Sequence, residues 1–148
     1  MMIARYMITL FFFFFAFFIK SQSKYKEGNV VTNTGTIIKG FINYREWHKN
    51  PEQIQFKRDL KNGEVQTLPA DSITRFTITG YETYDRHIVP VSMGEISFES
   101  LKEAIDTSFF IKAVFLKKMV TGDRVDLYSY TDEIKIRFYV LDKRQTLP

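Results

Sequence analysis

The sequence predicts a mainly β protein: an antiparallel sheet, rolled or sandwiched, of roughly eight or nine short strands with one short helix or long loop. Three observations predict it. Apolar and polar residues alternate along most of the chain, as on half-buried strands. Turn-forming residues punctuate the alternation at short intervals. One long stretch, Ser92 to Thr107, is different in character, and there Leu101, Ala104 and Ile105 take helical spacing. A parallel βαβ architecture would need repeated crossover helices, which the pattern does not supply.

The first residues read as an export leader rather than as part of the fold. Arg5 lies in a short basic region, Ile8 to Ile19 is almost wholly apolar, and Ser21-Gln22-Ser23 offers small residues for cleavage. A membrane-spanning helix needs roughly 20 apolar residues, so this run suits a signal peptide better than an anchor. Residues 1–23 are therefore assigned to the leader, 24–141 to a single β-rich domain and 142–148 to a polar tail. The leader carries two basic residues and no acid, so the net charge of +4 falls by two without it. That balance gives no nucleic-acid footprint, which would require basic residues gathered on one face. The chain has no cysteine, which excludes disulfides, thiolate metal sites, a cysteine nucleophile and a lipid anchor on cysteine.

In chain order, Asn29 to Thr32 is a short strand and Asn33-Thr34-Gly35 reverses it. Thr36 to Tyr44 returns with Ile38 and Ile42 on one face and Ile37 and Phe41 on the other, the mark of a strand that is central or lies between two layers. Gly40 in its middle predicts a bulge or a close neighbour. Arg45 to Gln53 is a loop broken at Asn50-Pro51. Ile54 and Phe56 alternate on a third strand, Lys61-Asn62-Gly63-Glu64 predicts a type I′ turn, and Val65 to Leu68 pairs back. Pro69 to Ile73 resembles one helical turn, Thr74 to Thr79 alternates again, and Tyr81 to Val91 is β-branched and aromatic until Pro90 interrupts it. Phe109 to Val120 ends at Thr121-Gly122-Asp123. Val125 and Leu127 alternate with Asp126 and Tyr128, and Thr131-Asp132-Glu133 is a turn. On the last strand Ile134, Ile136, Phe138 and Val140 are expected to face the core, leaving Lys135, Arg137 and Tyr139 as a solvated strip.

Tyr25-Lys26-Glu27-Gly28 running into Val30-Val31-Thr32-Asn33, with Gly35-Thr36, Gly40-Phe41-Ile42, Val114-Phe115-Leu116, Leu127-Tyr128-Ser129-Tyr130 and Arg137-Phe138-Tyr139, resembles a family of uncharacterised secreted proteins of Bacteroidetes-type bacteria. In that family the β-rich module often precedes an outer-membrane β-barrel or stands alone in the periplasm. The resemblance implies an exported chain in the periplasm or at the outer membrane, with an envelope or outer-membrane protein as partner. It transfers no catalytic residue.

No catalytic constellation stands out. His48 and His87 are far apart and lack a close-spaced ligand pair, so surface histidines are expected and no metal site is assigned. No serine sits in a nucleophile elbow. Asp71-Ser72 with His87 could be read as a triad fragment, but Asp71 before a short apolar turn is more simply a helix cap. The scattered glycines form no phosphate-binding loop, and no cofactor is expected. Trp47, Tyr128 and Tyr130 are the candidate binding residues. Exposed aromatics of this kind stack on sugars or mark an interface; the competing reading places Tyr128 and Tyr130 against a second layer of the core. Three function classes follow: a non-catalytic interaction module, a small-ligand or glycan binder, and a hydrolase with an unrecognised site.

Overall fold

The computed structural model describes residues 24–94 and 107–144. Their regular structure is entirely β: β1 Tyr25–Thr32, β2 Ile37–Asn43, β3 Gln53–Lys57, β4 Gln66–Pro69, β5 Ile73–Ile78, β6 Thr83–Ser92, β7 Phe109–Thr121, β8 Val125–Thr131 and β9 Ile136–Asp142. All pair antiparallel in one open sheet of order β4-β3-β2-β1-β5-β6-β7-β8-β9. The expected leader, the helical spacing at Leu101 to Ile105 and the last four residues lie outside the described residues. Asp142, expected to begin the tail, closes β9 instead.

Connection length forces the sheet to curl. β4 and β5 are four inter-strand steps apart, roughly 19 Å if the sheet were flat, yet only Ala70–Ser72 join Pro69 to Ile73, a link reaching about 14 Å at most. Ser72 N donates to Pro69 O at 3.1 Å and shortens the link further. This is a tight turn, not the helical turn expected, so Asp71 has no helix to cap; its carbonyl accepts from Asn33 Nδ2 at 2.8 Å, which ties the β1–β2 turn to the β4–β5 turn.

The curl encloses a first core from Val30, Ile42, Ile54, Phe56, Ile73, Phe76, Ile78, Tyr84 and Phe115. The registers Val30↔Phe76, Phe76↔Tyr84 and Arg86↔Phe115 put these residues on one face of the sheet. A second core, Val91, Val114, Leu116, Tyr128 and Tyr130 with Val89, Tyr139 and Leu141, lies on the opposite face. The sheet therefore bends one way over β1–β5 and the other way over β6–β9, and β6 and β7 line both cores. Side chains of β9 close the second bend. Tyr139 Oη donates to Pro90 O at 2.9 Å and Arg137 Nε to Ser92 O at 3.0 Å, joining β9 to β6 although β7 and β8 intervene.

This reversal of face inverts the expectation for the last strand. Ile136, Phe138 and Val140 are 56%, 65% and 67% exposed, whereas Arg137 is buried at 8%. The alternation is present, but Tyr130↔Arg137 and Ser129↔Phe138 register the odd residues of β9 with the buried tyrosines of β8. Arg137 is not a solvated basic side chain: its guanidinium bonds Ser92 O and Lys135 O and pairs with Asp132 at 2.9 Å.

Local expectations divide in the same way. Gly35 takes φ +82° in the β1–β2 turn. At Gly40 a Cβ would run into the Lys57 carbonyl oxygen and the Phe56 ring, so the close neighbour is real. Asn62-Gly63 does not form a type I′ turn, since neither residue has positive φ. Asp59 Oδ1 instead accepts from Lys61 N and Asn62 N, both at 2.8 Å, and opens a wider loop. Pro90 does not interrupt β6: the 93–108 hydrogen bond sets its missing N–H on the side away from β7, where nothing in the ladder needs it.

Candidate functional site

The three candidate aromatics are not an exposed row. Trp47 packs edge-on against Tyr44, Phe76 and Tyr84 with centroids 5.2–5.9 Å apart, closing the mouth of the first core. Tyr128 and Tyr130 are 2% and 6% exposed within the second core. Their faces are covered by protein and offer no stacking platform for a sugar, so the reading that sets both tyrosines against a core layer is the one the packing supports. Trp47 lies apart from them, on the other core.

The structure brings together two groups of residues that the sequence did not. The first is polar and sits where the sheet changes face. Asp85, on β6, is buried and receives the Arg75 guanidinium, Lys118 Nζ at 3.0 Å and the Tyr128 hydroxyl at 2.8 Å. Burial alone would raise its carboxyl, but Arg75, Lys118 and Tyr128 together hold it below the usual range. Asp126, also buried, pairs with Lys143 at 2.9 Å, and that contact draws its carboxyl down. Burial, and then the Asp85 charge, push the Tyr128 hydroxyl up. With His87 these groups line an open cleft of about 360 Å³.

His87 is half-buried, not a surface histidine. Its ring meets Tyr128 at 4.9 Å, its Nε2 has no hydrogen-bond partner among the described residues, and burial lowers its pKa. His48 is exposed in the loop after β2. Ser72 is bonded to Pro69 O and does not meet His87 in any contact described. Among the described residues no three acidic, histidine or cysteine side chains gather as a metal-binding group. In the cleft each carboxylate is paired with cations, Asp85 with Arg75 and Lys118 and Asp126 with Lys143, which ties β5, β6, β7 and β8 together.

The second group is the outer face of the last three strands. The registers Val120↔Leu127 and Leu127↔Val140 set a cross-strand row of aliphatic side chains, continued by Val125, Phe138 and Ile136 on the same face. Val120, Val125, Ile136, Phe138 and Val140 are all exposed. Together they form a contiguous exposed apolar patch. Alternation alone could not reveal it, because the pattern that predicts a buried strip fits an exposed one equally well.

Beside the patch, β7 and β8 part beyond Lys117↔Ser129 and Asn50 fills the fork. Its N–H donates to Thr131 O at 2.8 Å, its Oδ1 accepts from Thr131 N at 2.9 Å, and its Nδ2 reaches Phe115 O at 2.7 Å and Ser129 O at 3.2 Å. One side chain and its backbone thus replace the missing rungs between two strands.

Comparison with protein families, with curated proteins and with solved structures finds no match to this chain.

Proposed function

We propose that this chain is a non-catalytic interaction module of the cell envelope, exported by its leader and docking an envelope or outer-membrane protein through the outer face of β7–β9. The observation that carries the reading is the apolar row Val120, Leu127 and Val140 with Phe138 and Ile136 beside it, on the first core's face of the sheet but beyond that core, to which β8 and β9 contribute nothing. Burying such a face against a partner gains roughly 25 cal/mol for each Å² of apolar surface removed from water. The partner is expected to present an aliphatic or aromatic surface of matching extent. The export pattern at residues 1–23 and the resemblance to secreted Bacteroidetes-type proteins support the envelope location, and the cation-neutralised Asp85 and Asp126 support a non-catalytic role.

The test is site-specific photocrosslinking in intact cells. A benzoylphenylalanine at Val120, on the patch but two strands in from the sheet edge, is expected to give one discrete adduct in the envelope fraction. The same probe at Lys39, on the far side of the sheet's other half, is expected to give none. Equal labelling at both positions, or recovery of the protein only from the cytoplasm, would overturn the reading.

A further inference from the structure

We propose that the free edge of β9 pairs with β9 of a second copy of this chain, antiparallel about a two-fold axis at Phe138, joining two sheets into one. The inference concerns the strand edge rather than the apolar face, and it goes beyond the partner reading above.

The phase of the β8–β9 ladder comes first. Lys143 N donates to Arg124 O at 2.9 Å and Asp132 N to Lys135 O at 3.3 Å. Bonded pairs alternate along an antiparallel ladder, so Arg137, Tyr139 and Leu141 turn their main-chain groups toward β8. Ile136, Phe138 and Val140 turn theirs away. No strand lies on that side of β9 among the described residues. The three residues with exposed apolar side chains are thus also the three whose N–H and C=O groups point off the sheet.

Several other free edges carry features that β9 lacks. β4 is four residues long, polar at Gln66 and Thr67, and ends in Pro69. The outer carbonyls at the end of β6 and just beyond it are taken by side chains in and before β9: Pro90 O by Tyr139, Ser92 O by Arg137 and Gly94 O by Lys135. On the fork side of β7 the Asn50 loop takes Phe115 O, and Glu52 holds Lys112 at 2.6 Å. β9 has none of these defences. Its one basic side chain, Arg137, is folded inward, and it contains no proline.

The sequence of the edge is complementary to itself. With Phe138 opposite Phe138 of the second copy, Ile136 faces Val140 and Val140 faces Ile136, each pair able to exchange both main-chain hydrogen bonds. Before Ile136 the β8–β9 turn, in which Asp132 N bonds Lys135 O, carries the chain away from the edge, so the self-complementary segment is Ile136 to Val140. A strand of seven residues buries less than a standard interface, and the dimer is expected to be weak, with Kd on the order of 10 μM.

The chain lacks cysteine, which allows a register-specific test on the protein purified from the full-length chain as the cell processes it. Opposed residues of a bonded antiparallel pair stand about 5.5 Å apart, within disulfide range. Under mild oxidation Phe138→Cys is expected to form a covalent dimer by itself. Ile136→Cys and Val140→Cys are each expected to stay monomeric alone and to cross-link when mixed. In sedimentation at about 100 μM, the unmodified protein is expected to approach twice the monomer mass. Phe138→Pro, which removes an outward N–H and the ring but no bond to β8, is expected to abolish that rise while leaving the far-ultraviolet dichroism unchanged, whereas Phe138→Ala, which keeps the N–H, is expected to retain part of it.

A protein monomeric at that concentration would overturn the proposal, as would cross-linking of Val140→Cys alone as fast as Phe138→Cys. Neither result would alter the Val120 crosslinking test, so failure of self-pairing and failure of the partner reading are separable.

Discussion

Tyr128 on β8 donates its hydroxyl to Asp85 on β6 at 2.8 Å, reaching across β7 between them, with both residues buried. Hydrogen bonds to a charged group contribute about 1.5–3 kcal/mol. Tyr128→Phe keeps the ring and removes the bond, and Asp85 retains Arg75 and Lys118. A loss of about 2 kcal/mol in urea unfolding is expected, with the m-value unchanged.

Stability should fall on mild acidification because of His87. Burial lowers its folded pKa beneath the unfolded value of 6.5, so the unfolded chain binds the proton more readily. The stabilisation is complete above pH 6.5 and is lost as pH falls from there toward the folded pKa. Asp85 adds a second loss at lower pH: its stabilisation is present above the unfolded carboxylate value of 3.8 and disappears as pH falls through its lower folded value. Urea midpoints measured from about pH 7.5 to 5 should decline in the wild type, and His87→Leu should flatten that decline.

Gly40→Ala should be costly. The added Cβ meets a backbone oxygen of β3 as well as the Phe56 ring, so β2 and β3 must separate. Overpacking of this kind costs about 1–3 kcal/mol, and the upper end is expected because backbone has to move. Gly35 has open space around it, but its φ of +82° makes Gly35→Ala strained for a different reason. Thermal melting of both variants checks the pair.

Asn50 is expected to be irreplaceable even by its closest relative. Asn50→Ala orphans Phe115 O and Thr131 N at the fork, a loss of about 2–3 kcal/mol. Asn50→Asp turns a donor into a charged acceptor facing two carbonyl oxygens and should cost more than Ala. Hydrogen exchange at Thr131 N should accelerate in both variants.

Phe138→Ala and Arg137→Ala should reverse the order that hydrophobicity suggests. At low micromolar concentration the exposed Phe138 should change stability by no more than about 0.5 kcal/mol. Arg137→Ala leaves Ser92 O and Asp132 without their cation, at a cost of about 3 kcal/mol in chemical unfolding.

That reversal shows where reading the sequence reaches its limit. Strand positions and the Asn33–Gly35 turn were legible because neighbours in sequence decide them. Gly40 was legible because a glycine inside an apolar strand leaves room for something to come close to the backbone, and a bare backbone there is otherwise a loss. The buried side of β9 was not, since alternation gives a period and no sign. The sign comes from Tyr130↔Arg137 and from β6 carbonyls some 45 residues away in sequence. Asn62-Gly63 misled for a local reason, because Asp59 captured the amides that a type I′ turn would have left free. Asn50 and His87 carried no signal of their own; each acquires its role only when strands distant in sequence meet around it.

The sharing of β6 and β7 between two cores has a mechanical consequence. Tyr84 and Val91 lie on the same strand yet are buried on opposite sides of the sheet. Peeling away either half strips a wall from the other, so neither can be excised as a smaller stable piece, and heating should melt both in one calorimetric step. Load applied at β9 would be passed to β6 and β7, the strands both cores share.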